Sequence, residues 1–167
     1  MSKTYRITLI AMLTGMAISG RFIFQFIPNV QPVTSLVILT GFFFGPASAI
    51  FLGVITVYVT NLFMGMGIWT FWQIAAYIFI GLLSGIIGFK LKRNQFIVLI
   101  FLSIASGFLY GLFFALTNYM ITGFFWGYYL SGLLFDGYHA FGNVLFILAS
   151  YKPFKYLANR YKYIHQL

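Results

Sequence analysis

Acidic residues are almost missing from this chain, and cysteine is missing altogether: its 167 residues include one carboxylate side chain, Asp136, and no thiol. A single acid rules out catalysis by paired carboxylates. Without cysteine there are no disulfides and no thiolate metal sites, and the redox compartment cannot be read. Charge of either sign is scarce. Charged residues make up 7% of the chain, against about 25% in ordinary soluble domains. So few charges could not cover a water-facing surface on a chain that is 62% hydrophobic and 22% aromatic. The composition is that of a polytopic membrane protein, and the length allows one domain of roughly six spans at about 20 residues each. Catalytic signatures are absent too. No Gly-x-x-x-x-Gly-Lys-Ser/Thr loop is present to bind ATP in the usual way. Asp136 and His139 lie three apart on one helix, but no Gly-x-Ser-x-Gly accompanies them. His139 falls in a span and His165 in the terminal tail, so a shared metal is not expected. The first apolar run lacks a small-residue cleavage site and another span follows at once, so it reads as a retained span.

What is plentiful is basic charge beside oily runs. Of the ten basic residues, nine sit in three clusters: Lys3 and Arg6; Lys90, Lys92 and Arg93; Lys152, Lys155, Arg160 and Lys162. Clusters next to apolar spans follow the positive-inside rule and attract anionic lipid, which explains the net charge of +9 without nucleic acid. The expected fold is an all-α membrane bundle of six spans, at about residues 7–27, 33–44, 47–64, 71–89, 96–117 and 128–150. The second is short: 12 residues rise about 18 Å, so it must be buried among its neighbours or re-entrant. With both termini cytoplasmic and six crossings, the inner segments hold all nine clustered bases. The outer segments 28–32, 65–70 and 118–127 then hold no charge. A five-span alternative would put basic clusters outside.

The exceptions to this pattern are the candidate functional residues. Arg21 and Asp136 lie within spans, at similar depth in the outer half, and ionisable groups there are costly and suggest function. Asp136, His139 and Asn143 share one helical face, as do Arg21 and Gln25. Two readings stay open: an Arg21–Asp136 ion pair that locks two helices, or groups that also bind a polar ligand entering from outside. Trp69, Trp72, Trp126, Tyr128 and Tyr129 map to the outer boundary. They read either as an interfacial aromatic belt or as lid residues in two glycine-containing loops. Ala11, Gly15 and Ser19 recur every four residues on the first span, a small-residue stripe that allows close helix approach. It would serve either packing within the bundle or docking of another membrane subunit.

Taken together, these residues resemble the substrate-binding S components of energy-coupling factor (ECF) vitamin transporters. The resemblance covers essentially the whole chain. It rests on the six spans, the stripe and two loop motifs: Ile27-Pro28-Asn29-Val30-Gln31-Pro32-Val33-Thr34, and Gly65-x-Gly67-x-Trp69-Thr70-x-Trp72-Gln73. The loops look most like the branch assigned to cobalamin uptake. The resemblance implies a non-catalytic plasma-membrane subunit that binds a vitamin near the outer face and docks on a membrane T component, which two cytoplasmic ATPases drive. ATP is then used by the partners and not by this chain. Ala11, Gly15 and Ser19 match the family's docking position, with Gly15 and Ser19 replacing the more usual alanines. The expected substrate contacts are Arg21, Gln25, Asn29, Gln31, Trp69, Thr70, Trp72, Gln73, Trp126, Tyr129, Asp136, His139 and Asn143. A neutral, amide-rich corrinoid suits aromatic walls with few charges. A pyridoxine-type compound or a queuosine precursor is the alternative ligand. A self-sufficient oligomeric channel or carrier is the alternative class.

Overall fold

The computed structural model describes residues 3–91 and 93–164. Lys92 and His165, and the side chains of Lys3 and Lys162, lie outside the described residues. The chain forms six helices: α1 (Lys3–Ile23), α2 (Val33–Phe44), α3 (Pro46–Met64), α4 (Ile68–Lys90), α5 (Gln95–Thr122) and α6 (Trp126–Ile164). All except α2 are long and apolar enough to cross a membrane. Many large hydrophobic side chains, such as Phe51, Phe63, Phe89 and Phe101, are exposed, as expected where the surrounding solvent is lipid.

Helix α2 solves its length problem by never meeting lipid. Every residue from Val33 to Phe42 is buried, enclosed by α3, α4, α5 and α6. Glycines on α4 let it come close. A Cβ on Gly88 would strike the Phe42 backbone, and a Cβ on Gly41 would lie 3.0 Å from the Gly81 carbonyl and 3.2 Å from the Gly85 nitrogen. Gly81, Gly85 and Gly88 thus form a small-residue stripe that faces inward, a use of small residues typical of membrane helix pairs.

Contacts at the two ends of the bundle show which loops lie together. At one end, Arg6 donates from Nε to Ser48 Oγ at 3.1 Å. Phe89 packs on Gly45, and Phe43 and Phe44 meet Tyr151 and Phe154. The bases Arg6, Lys90, Arg93, Lys152, Lys155 and Arg160 gather at this basic end. At the opposite, neutral end, Gly20 abuts Pro32, and Asn29 Nδ2 donates to the Phe135 carbonyl at 2.9 Å. Helix α2 therefore runs from the neutral end to the basic end.

Three boundaries differ from the sequence reading. First, the segment after Ser150 is no free tail, because α6 continues to Ile164. Its 39 residues rise about 58 Å, well beyond about 30 Å of hydrocarbon. Second, residues 118–122 remain helical. Helix α5 ends at Gly123, whose positive φ of 76° lets its N–H reach the Tyr119 carbonyl at 2.8 Å. Third, α4 begins at Ile68 and not at 71, so Trp69 and Thr70 stand on the helix with Trp72 and Gln73 rather than in the preceding loop. The Thr70 hydroxyl caps that helix by accepting the Gly67 N–H at 3.4 Å.

Candidate functional site

A cleft of about 460 Å³ opens at the neutral end. The α1–α2 loop gives it Pro28 and Asn29; α5 gives Tyr110, Gly111 and Phe114; α6 gives Tyr128, Tyr129, Ser131, Gly132, Phe135 and Asp136. Glycine decides where the two long helices can meet. A Cβ on Gly107 would lie 2.7 Å from the Ala140 nitrogen, so α5 and α6 are in backbone contact there. One turn further, the Asp136 carboxylate lies in the space a Gly111 side chain would fill. Beyond that point Tyr110, Phe114 and Phe135 spread the helices and leave the cleft between them.

The polar groups around the cleft form a connected support. Asn29 holds a left-handed conformation, φ 58°, which asparagine tolerates better than most residues. Its donated bond to the Phe135 carbonyl fixes the amide so that Oδ1 faces His139 Nδ1 at 3.5 Å. The ring proton therefore belongs on Nδ1, and Nε2 accepts from Thr34 Oγ1 at 2.8 Å. Thr34 in turn lies 3.5 Å from the Tyr77 hydroxyl. The Tyr110 ring packs between Tyr77 and His139, with centroids at 5.4 and 4.9 Å. Asp136 differs from these neighbours. It is 5% exposed and has neither a hydrogen bond nor an ion pair among the described residues.

Of the expected ligand contacts, the cleft brings together Asn29, Tyr129 and Asp136, with His139 directly beneath. The remaining expected contacts lie elsewhere. Arg21 does not pair with Asp136: Nη1 donates to Thr60 Oγ1 at 2.8 Å, and Nε has no partner. The reason is topological, since α1 packs on α3 and α2 and makes no close approach to α6. Thr70 and Gln73 are taken by Asn61, whose Nδ2 donates at 2.8 Å to each. Asn143 is buried well below, donating to the Ser103 carbonyl at 3.3 Å, while its own carbonyl accepts from Ser35. Trp72 packs on Phe71 and Phe113. Trp69 folds over Gly67, and Trp126 is 69% exposed. Gln25 is exposed and Gln31 half-buried, and neither lines the cleft. No group of three metal-ligating side chains occurs among the described residues.

Sequence reasoning did not assign Tyr110, Gly111, Phe114 or Phe135 to a site. They lie in unbroken apolar runs, and the available signal was the Gly107–Gly111 spacing on α5. Asn61 was missed as well, although a Thr-Asn pair inside an apolar span is itself a sign of a polar contact. Ala11, Gly15 and Ser19 all face away from the bundle, and a Cβ on Gly15 would meet nothing within 4 Å. Packing within the bundle is therefore not what the stripe does.

A membrane-embedded helical bundle with a single-carboxylate aromatic cleft at one end and no nucleotide-binding loop has the architecture of a ligand-binding membrane subunit. The family model described as ECF transporter, substrate-specific component, matches residues 5–159, and the chain belongs to that family. The family's members are substrate-binding parts of transporters rather than enzymes, and they work with a T component and ATPases. No curated protein and no solved structure matches the chain.

Proposed function

We propose that the chain captures a vitamin or vitamin precursor in the α5–α6 cleft from outside the cell. It then delivers the ligand by docking through Ala11, Gly15 and Ser19 on a T component driven by two ATPases. The observation that carries this reading is the cleft itself: a preformed, aromatic-walled pocket at the end away from the basic residues. By the positive-inside rule that end faces outward, in the plasma membrane and with both termini cytoplasmic. A topology of six crossings is supported by α2, which joins the two ends. The exposed stripe supports docking, because an outward-facing run of small residues in lipid is a close-approach surface waiting for a helix.

Drug-sized ligands occupy pockets of about 300–1,000 Å³. At about 460 Å³, the cleft suits a compact ring compound such as a pyridoxine-type vitamin or a queuosine precursor. A corrinoid is the second reading. The two loop motifs favour it, and the open mouth would let a larger ligand stand partly outside. The absence of a base among the lining residues counts against an anionic vitamin in either case.

Replacing Gly15 with Leu tests the delivery step. Uptake by cells carrying the T component and ATPases should be lost, while the purified variant binds ligand within about twofold of the parent. Uptake that persists without the T component would instead establish a self-sufficient carrier.

A further inference from the structure

We propose that the ligand of this site carries a positively charged nitrogen, which Asp136 holds at the floor of an aromatic cage. The inference rests on reading the cleft as the substrate site. Asp136 lines the cleft yet is 95% removed from solvent, and no donor reaches its carboxylate among the described residues. A carboxylate in such surroundings is strongly destabilised unless a cation or several donors meet it. Among the described residues neither is supplied: the base inside the spans, Arg21, donates to Thr60 and makes no ion pair with Asp136. Gly111 leaves the carboxylate uncovered, because any side chain there would occupy its place. Five aromatic residues, Tyr110, Phe114, Tyr128, Tyr129 and Phe135, line the same cleft. Aromatic faces attract a cation that comes within about 6 Å of the ring centre. A lone acid under aromatic walls thus selects a flat cationic ligand, and it repels a carboxylate or phosphate that has no base to meet it.

The test uses compounds matched in size and different in charge, on the purified full-length protein. Pyridoxamine is compared with pyridoxine and pyridoxic acid, and aminomethyl-deazaguanine with cyano-deazaguanine, by calorimetric titration. In at least one set the amine should bind about tenfold or more tightly than its neutral counterpart, and the acid should not bind. D136N should reduce the amine to the affinity of the neutral compound, whereas D136E, which keeps the charge, should preserve the preference. The melting temperature of ligand-free D136N, measured alongside, should equal or exceed that of the parent, because a lone buried charge has been removed. Equal binding of neutral or acidic members, or a preference that survives D136N, overturns the inference. Binding of cobalamin alone, at an affinity D136N leaves unchanged, also overturns it while leaving the transport role intact. Failure of the parent protein to bind any vitamin overturns both.

Discussion

Asn61 with Thr70 and Gln73, and Asp136 with its ring of aromatics, are both polar islands inside apolar helices, but they differ in whether their bonds are made. In the first, one amide donates to two side chains across the α3–α4 interface, so the acceptor oxygens of Thr70 and Gln73 are met from within the bundle. In the second, a carboxylate faces a cleft without a donor. Buried polar groups are normally satisfied, so a satisfied cluster reads as structure and an unsatisfied one as a site. The sequence presents both alike, as a few polar letters in an oily run.

The comparison can be broken or sharpened by exchanging what each region can do. The largest effect is expected for Gly111→Leu. Its side chain would enter the cleft where the Asp136 carboxylate now lies, a flexible neighbour that can swing aside. Ligand affinity should fall by about 100-fold or more, equivalent to about 2.7 kcal/mol, with the bundle still folded. Titration against the parent checks this, and unchanged affinity would move the site elsewhere. Next comes Asn61→Leu, which leaves Thr70 and Gln73 buried without their donor. Stability should drop by about 1–3 kcal/mol, read as a lower melting temperature, while the folded fraction keeps its affinity. A selective loss of affinity would show that the clamp shapes the site. Smallest is Trp69→Ala. Trp69 is 42% exposed and does not line the cleft, so affinity should change by less than about twofold, as for a residue of the interfacial belt. A tenfold loss would restore a lid role for the tryptophan.

Two stripes of small residues make a parallel point. Ala11, Gly15 and Ser19 on α1 face outward, whereas on α4 Gly81 faces Ala49 of α3, Gly85 faces Pro46 and Gly88 faces Phe42 of α2. Their helical spacing is equally regular. What separates them is the neighbour: α1 packs on one side of the bundle only, while α4 is flanked by α2, α3 and α5.

Much of the fold was legible because it depends on local quantities. The apolar runs gave all six helices, including the short second one, since run length and hydrophobicity fix what can enter a bilayer. The breaks at Gly45-Pro46 and Gly65 were legible from the backbone demands of those residues. Boundaries were less so. Polar and aromatic letters at 68–70 and 118–122 looked like loop, but local bonds from Thr70, and from Asn118 to Thr122 and the Phe124 carbonyl, keep the segments helical or close the turn beside them. Of the residues that line the cleft, three stood out in the sequence: Asp136 as an acid inside a span, Asn29 in the proline-bounded loop and Tyr129 among the aromatics at the outer boundary. Tyr110, Phe114 and Phe135 did not, because an aromatic in an apolar run looks the same whether it faces lipid or a cleft.

The sequence by itself determined that this chain belongs in a membrane, that nine of its ten basic residues cluster beside the apolar runs, and that Asp136 and Arg21 need an explanation. Hydropathy and charge act residue by residue, and no partner is required to read them. The tertiary structure alone decided which helix each polar group meets. Helical periodicity puts Arg21 and Asp136 on definite faces of α1 and α6, but it cannot say that α1 turns its face to Thr60 on α3. That packing choice separates the two charges. It leaves Arg21 within the bundle and Asp136 as the open acceptor at the floor of the cleft.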